Sequence, residues 1–177
     1  EPLQIDGREV TVTTVGHPDR DAVAVRISSE KVADGTIGVF LRFPFPSNTE
    51  FGSAADWNSP DRHRTELAPG DHRASFHRTL GDTNYDVHIA WDNGAVLREV
   101  REHAYELFPA TEAHEISFVV CFDKVVGNSA IPTFAQTVRA SVRHWQEFWE
   151  SGALSTSREV PTRAGKSSSG AWCFRST

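Results

Sequence analysis

Residues 8–15 (REVTVTTV) alternate polar and apolar positions, and 22–28 (AVAVRIS) do so again with Val23, Val25 and Ile27 in phase. A period of two is that of a strand with one buried face, so two strands joined through the turn GHPDRD are predicted. TIGVFLRF (36–43) repeats the pattern with Ile37, Val39, Leu41 and Phe43 inward, and the prolines of PFPSN end that strand. Residues 47–72 are rich in Ser, Asn, Asp, Pro and Gly, which predicts a long loop with one short strand near RTEL. RASFHRTL and NYDVHIAW follow, the latter aligning Tyr85, Val87, Ile89 and Trp91. Asn93-Gly94 tolerates positive φ at both turn centres, so AVLREV is expected to fold back on NYDVHIAW as a hairpin. EHAYELF and HEISFVVCF add two strands, the second aligning Ile116, Phe118, Val120 and Phe122 and turning Cys121 to the opposite face as a small buried thiol. Roughly eight strands spaced near ten residues apart predict an antiparallel β-sandwich.

The period then changes. In TFAQTVRASVRHWQEFWESG, Phe134, Val138, Val142, Trp145 and Phe148 or Trp149 recur at steps of three and four, the spacing of one helical face. Thr133 and Gln136 form a capping box after Pro132, and Gly152 stands where a left-handed C-cap is expected. Each large aromatic of the stripe can cover ~150–250 Å², so the helix is expected to lie with this stripe against the sandwich. The fold class is mainly β: a sandwich over 1–131 with one C-terminal amphipathic helix, 132–152, packed on it.

Composition narrows the partners. The 177 residues carry 18 Lys and Arg against 24 Asp and Glu, a net charge of −6 with no basic stripe, which argues against nucleic acid. No apolar run approaches the ~18 residues of a membrane span. Cys121 and Cys173 make no metal-type pair, and no G-x-S-x-G, P-loop or G-x-G-x-x-G occurs, so no metal and no cofactor is expected. Residues 153–177 lack any periodicity yet contain Trp172 and Phe174. Permitted codons for this tail, read one base out of phase, yield VDLSGSTDPRWKELERRVVLSQY, an Asp-Pro turn followed by an amphipathic pattern. The tail is therefore expected to be out of frame, the shift lying near Gly152 to Leu154; the alternative is a flexible linker or tail.

DRDAVAVRISS, GTIGVFLRFPFPS, the Trp57-Asn58 loop and above all VRASVRHWQEFWESGA resemble the fungal secreted six-hairpin glycosidase-like proteins. In these a β-supersandwich is joined, by a helix ending in W-x-x-[FY]-W-x-S-G-A, to an (α/α)₆ barrel that holds the catalytic carboxylates. Trp145, Phe148, Trp149, Ser151, Gly152 and Ala153 fit that motif, and the out-of-phase string resembles the start of the barrel. The resemblance spans roughly residues 8–153. It implies a glycoside hydrolase-like, carbohydrate-linked domain, an extracellular location, and a chain with neither the barrel nor the first part of the sandwich. No catalytic residue of the family maps onto any position here. The function expected is that of a non-catalytic support and cleft wall; the alternatives are a stand-alone carbohydrate-binding module and, third, a small hydrolase.

Among candidate sites, Glu147 and Glu150 stand at i and i+3 on one helical face and read as solvated charges, not as the acid pair that glycoside hydrolysis needs across a cleft. His63, His72 and His77, near Asp61 and Asp71, match no ligand spacing and read as surface histidines. Two tryptophans could stack a sugar while neighbouring amides and carboxylates bind its hydroxyls: Trp57, flanked by Asp56 and Asn58, and Trp91 at a strand end. Trp91 is in phase with Val87 and Ile89, which favours the core. The partners expected are a carbohydrate and a second copy of the chain, paired through the helix or a free sheet edge.

Overall fold

The computed structural model describes residues 3–47, 53–92, 95–109, 112–122 and 130–153; the out-of-frame expectation for the tail and the Asn93-Gly94 turn lie outside the described residues. In chain order the elements begin with β1 (Leu3–Ile5), β2 (Arg8–Gly16), β3 (Ala22–Ser28), a one-turn helix α1 (Glu30–Ala33), β4 (Val39–Arg42), β5 (Phe45–Pro46) and β6 (Ala55–Asp56). A 3₁₀ turn (Pro60–Arg62) leads into β7 (Arg64–Gly70), β8 (Arg73–Leu80), β9 (Thr83–Trp91), β10 (Val96–Arg101), β11 (Ala104–Phe108) and β12 (Glu115–Cys121). Helix α2 (Phe134–Phe148) runs on into a π-helical turn (Trp149–Ala153).

A seven-stranded antiparallel sheet in the order β1-β2-β3-β12-β9-β8-β7 faces a three-stranded sheet, β10-β11-β4. Between them lies the main core: Phe76, Val87, Ile89, Trp91, Ile116 and Phe118 from the larger sheet meet Tyr105 and Leu107 from β11. The in-phase sets expected for 36–43 and 85–91 belong to this core. Helix α1, unmarked by any sequence pattern, is capped by Ser29, whose Oγ accepts from Lys31 N–H and donates to the Glu9 carbonyl at 2.8 Å. It drops Val32 into the core beside them.

The ladder between β3 and β12 sorts side chains to two faces. Val25 lies opposite Phe118 and Ile27 opposite Ile116, all toward the three-stranded sheet, while Ala22 lies opposite Cys121 and Ala24 opposite Val119 on the other side. That second face is made of small residues, so a helix can approach closely. Phe134 of α2 seats there with Ile131 and Val138, and the Arg26 guanidinium lies 4.2 Å from the Phe134 ring centre. The capping box of Thr133 and Gln136 forms as the sequence suggests.

Three expectations need correction. The hairpin between 85–91 and 95–100 does not form: β12 occupies the edge of β9, with Phe118 opposite Trp91, so the chain crosses to the other sheet and β10 pairs with β11. The crossover is fastened by Trp91, whose Nε1 donates to the Ala95 carbonyl at 2.7 Å. Secondly, α2 does not lay the whole of its stripe against the sheet. Only its first half docks; Val142, Trp145, Phe148 and Trp149 are 51%, 53%, 44% and 56% exposed. Their stripe continues the docked face beyond the sheet, and the three rings pack edge to face on one another, Trp145 on Phe148 at 5.5 Å and Phe148 on Trp149 at 5.3 Å. Thirdly, Gly152 sits within the π-helical turn instead of at a left-handed cap. The described part of 47–72 also holds more order than expected: β6, which pairs with β5 ahead of the stretch, the 3₁₀ turn and a seven-residue β7.

Because only the first half of α2 is seated, Phe134→Ala is expected to cost about 3 kcal/mol in urea unfolding, and Trp145→Ala less than about 0.5 kcal/mol in the monomer. Equal losses would place Trp145 in the core.

Candidate functional site

The turn between β10 and β11 contains only Glu102 and His103, and His103 takes the left-handed conformation at φ 58°. A side chain costs roughly 1 kcal/mol there, and the buried imidazole is held on both sides. Its Nδ1 is 2.7 Å from Thr65 Oγ1 on β7, and its Nε2 is 2.9 Å from the Pro60 carbonyl of the 3₁₀ turn. The turn is thereby tied to the 55–63 segment, and a cleft of about 340 Å³ opens between them. Arg42, Trp57, Asn58, His63, Arg101 and Glu102 are among its walls.

Beneath the cleft lies Arg78, fully buried. A buried guanidinium needs its hydrogens matched, because leaving one unpaired costs several kcal/mol. Here the partners are all neutral: Nη1 donates to Thr65 Oγ1 and, at 2.7 Å, to His63 Nδ1; Nη2 donates to the Pro44 carbonyl at 3.0 Å; Nε reaches the Tyr85 hydroxyl at 3.4 Å. The Phe43 ring flanks the guanidinium at 5.1 Å. Among the described residues no carboxylate is within ion-pair distance of it.

These contacts assign the protons. Arg78 can only donate, so His63 Nδ1 accepts and its hydrogen resides on Nε2. His63 Nε2 has no hydrogen-bond partner among the described residues and is not sealed from solvent, so it presents an N–H donor to the cleft. The Pro60 carbonyl can only accept, so His103 Nε2 donates to it, and in the neutral ring Nδ1 takes the Thr65 hydroxyl hydrogen. The two imidazoles stack with centres 3.8 Å apart. Burial, then repulsion from the neighbouring His103 imidazole and the Arg78 guanidinium, push the pKa of His63 down to about 4.

Trp57, Asp56 and Asn58 come together at the mouth of the cleft, as their adjacency in sequence requires. Trp57 is 48% exposed, and the Arg42 guanidinium lies 4.2 Å from its ring centre. Asp56 builds the loop: Oδ1 accepts from Asn58 N–H at 2.9 Å and Oδ2 from the Ser59 hydroxyl at 2.7 Å, and these bonds hold its pKa below the usual carboxylate value. Trp91 is elsewhere, its ring in the main core, and cannot serve as a sugar platform. His63 is not the surface residue expected, whereas His72 and His77 are exposed beside Asp71 and Asp86. No group of three or more His, Cys, Asp or Glu among the described residues is placed to hold a metal ion. Glu147, near the end of α2, and Glu150, in the π-helical turn, are both exposed.

Reading the sequence missed Arg42, Arg78, Arg101 and His103. One signal was present: Arg78 is in phase with Ala74 and Phe76 on β8, and a charged residue in register with core positions marks a buried polar site. The others depend on which strands become neighbours.

The His63 ring resonance is expected to titrate near pH 4 in NMR, against 6.5 for an ordinary histidine. Between those values the unfolded chain binds more protons, so stability should fall as pH drops from 6.5 to about 4, and His63→Gln should flatten that slope. A midpoint near the ordinary value would mean that the ring is not buried against His103 and Arg78.

No protein-family model matches the chain, and no curated protein sequence matches it.

Proposed function

We propose that this chain is a non-catalytic β-sandwich domain of glycoside hydrolase-like architecture, whose work is to carry a helical partner domain on the aromatic half of α2. The observation behind this reading is the row of Val142, Trp145, Phe148 and Trp149, continuous with the docked face yet left uncovered by the described residues. Adjacent large apolar side chains left in water mark a protein interface. The tryptophans and phenylalanine are also those that fit the linker-helix motif of the six-hairpin glycosidase-like proteins, where a helical barrel follows.

A second uncovered surface supports the same reading. Beside β4, whose outer edge pairs with no strand among the described residues, an apolar groove of about 520 Å³ runs between Phe40 and Phe122, which are 60% and 50% exposed. A free strand edge next to an open apolar groove is a place where further strands of a larger sandwich add on. The extracellular location belongs to this proposal through the resemblance; separately, no described helix is long and apolar enough to cross a membrane.

A second reading, a carbohydrate-binding module, is favoured by one observation: Trp57 is half exposed at the mouth of a cleft with Asn58 beside it. It is compatible with the first, since a cleft wall can also bind sugar.

Without its partner domain the aromatic face should bring two copies of the chain together. Light scattering at about 0.1 mM is expected to give the mass of a dimer, and Trp145→Glu with Trp149→Glu to give a monomer of unchanged circular dichroism. A wild-type chain that stays monomeric and binds no apolar dye would sink the docking role.

A further inference from the structure

Arg101 on β10 pairs with Ala104 on β11, which pairs with Arg42 on β4. The two arginines therefore occupy one cross-strand row on one face of the three-stranded sheet, separated by a single small residue. Two inter-strand steps set their Cα atoms about 10 Å apart, within the combined reach of two arginine side chains. Both line the cleft beside Trp57.

Their charge is not cancelled locally. Neither arginine is within ion-pair distance of a carboxylate among the described residues. Of the two acids on the walls, Asp56 has both oxygens engaged by its own loop, and Glu102 leans toward His103 at 3.5 Å. Behind the wall, Arg78 adds a positive charge matched only by neutral partners, and His63 turns an N–H donor to the opening. Donors therefore outnumber available acceptors on the walls of a cleft that also carries a half-exposed indole.

We propose that this cleft binds an anionic saccharide, its carboxylate held between Arg42 and Arg101 and its ring resting against Trp57. The assignment rests on the carbohydrate-binding reading and narrows it to sugars bearing a negative charge. Guanidinium and carboxylate match in planar, two-point hydrogen bonding. The indole supplies the apolar surface that a pyranose needs and a bare anion does not. His63 Nε2 is placed to donate to a ring hydroxyl, and Arg78 fixes that imidazole in the required tautomer.

Isothermal titration of the full 177-residue chain with trigalacturonate, maltotriose and inorganic sulfate tests this. Trigalacturonate is expected to bind, about tenfold or more tighter than maltotriose, and to weaken as NaCl is raised from roughly 50 to 500 mM. Arg42→Gln and Arg101→Gln should each lose about tenfold for trigalacturonate and little for maltotriose. Trp57→Ala should weaken both sugars; Trp57→Gln repeats the test should the alanine variant melt early. Equal affinity for the two sugars would overturn the anionic assignment and leave carbohydrate binding standing. Binding of neither sugar would overturn both. Sulfate binding as tightly as trigalacturonate, with Trp57→Ala without effect, would make this a simple anion site and overturn the saccharide.

Discussion

The antiparallel ladder between β3 and β12 joins segments far apart in sequence, Arg26 meeting Ser117 across 91 positions, and it gives one sheet two unlike faces. Toward the three-stranded sheet it presents Val25, Ile27, Ile116 and Phe118, large enough to fill the space between layers about 10 Å apart. Toward α2 it presents Ala22, Ala24 and Cys121, small enough for Phe134 to sit against the sheet. A shift of one residue in this register would exchange the faces, placing alanines in the main core and bulky side chains under the helix. The order of all three layers follows from that alternation.

The same division of faces explains the buried arginine. Position 78 lies on the inward side of β8 with Ala74 and Phe76, where an aliphatic residue would be ordinary. The guanidinium is tolerated because β7, the segment before β5 and the loop before β7 each deliver an acceptor: Thr65, the Pro44 carbonyl and His63. An acid partner would neutralise it. With no acid partner among the described residues its positive field stands undiminished, and that field adds to burial and to the neighbouring His103 in keeping His63 unprotonated well below the usual pH. Charge, tautomer and loop position at the cleft thus depend on one residue that has no access to it.

Strands whose alternation is long and regular, such as 22–28, 85–91 and 115–121, were readable because burial on one face enforces the period locally. So was the start of α2, where Thr133 and Gln136 satisfy the first turn within their own few residues. What escaped was decided at long range. Asn93-Gly94 favours a tight hairpin, yet β12 supplies β9 with a full ladder and packs Phe118 beside Trp91, an outcome that no window around residue 93 contains. Helix α1 is too short to show a period, and its Ser29 cap is meaningful only with the Glu9 carbonyl opposite it. The cleft likewise needed the pairing of β11 with both β10 and β4 before Arg101 and Arg42 became neighbours.

The aromatic stripe of α2 differs in kind, since its residues and period are legible in the sequence and only its covering is not. Amphipathic spacing reports that a face is meant to be buried, and says nothing of what buries it. The sheet beneath α2 offers Ala22, Ala24, Val119 and Cys121 to the first turns and has no counterpart under Trp145 and Trp149. Three rings packed edge to face on one another shield part of their own surface along the projecting turns. Such a face gains more by meeting a matching surface than by folding back, because β2, β3 and β12 are already covered by the seated half.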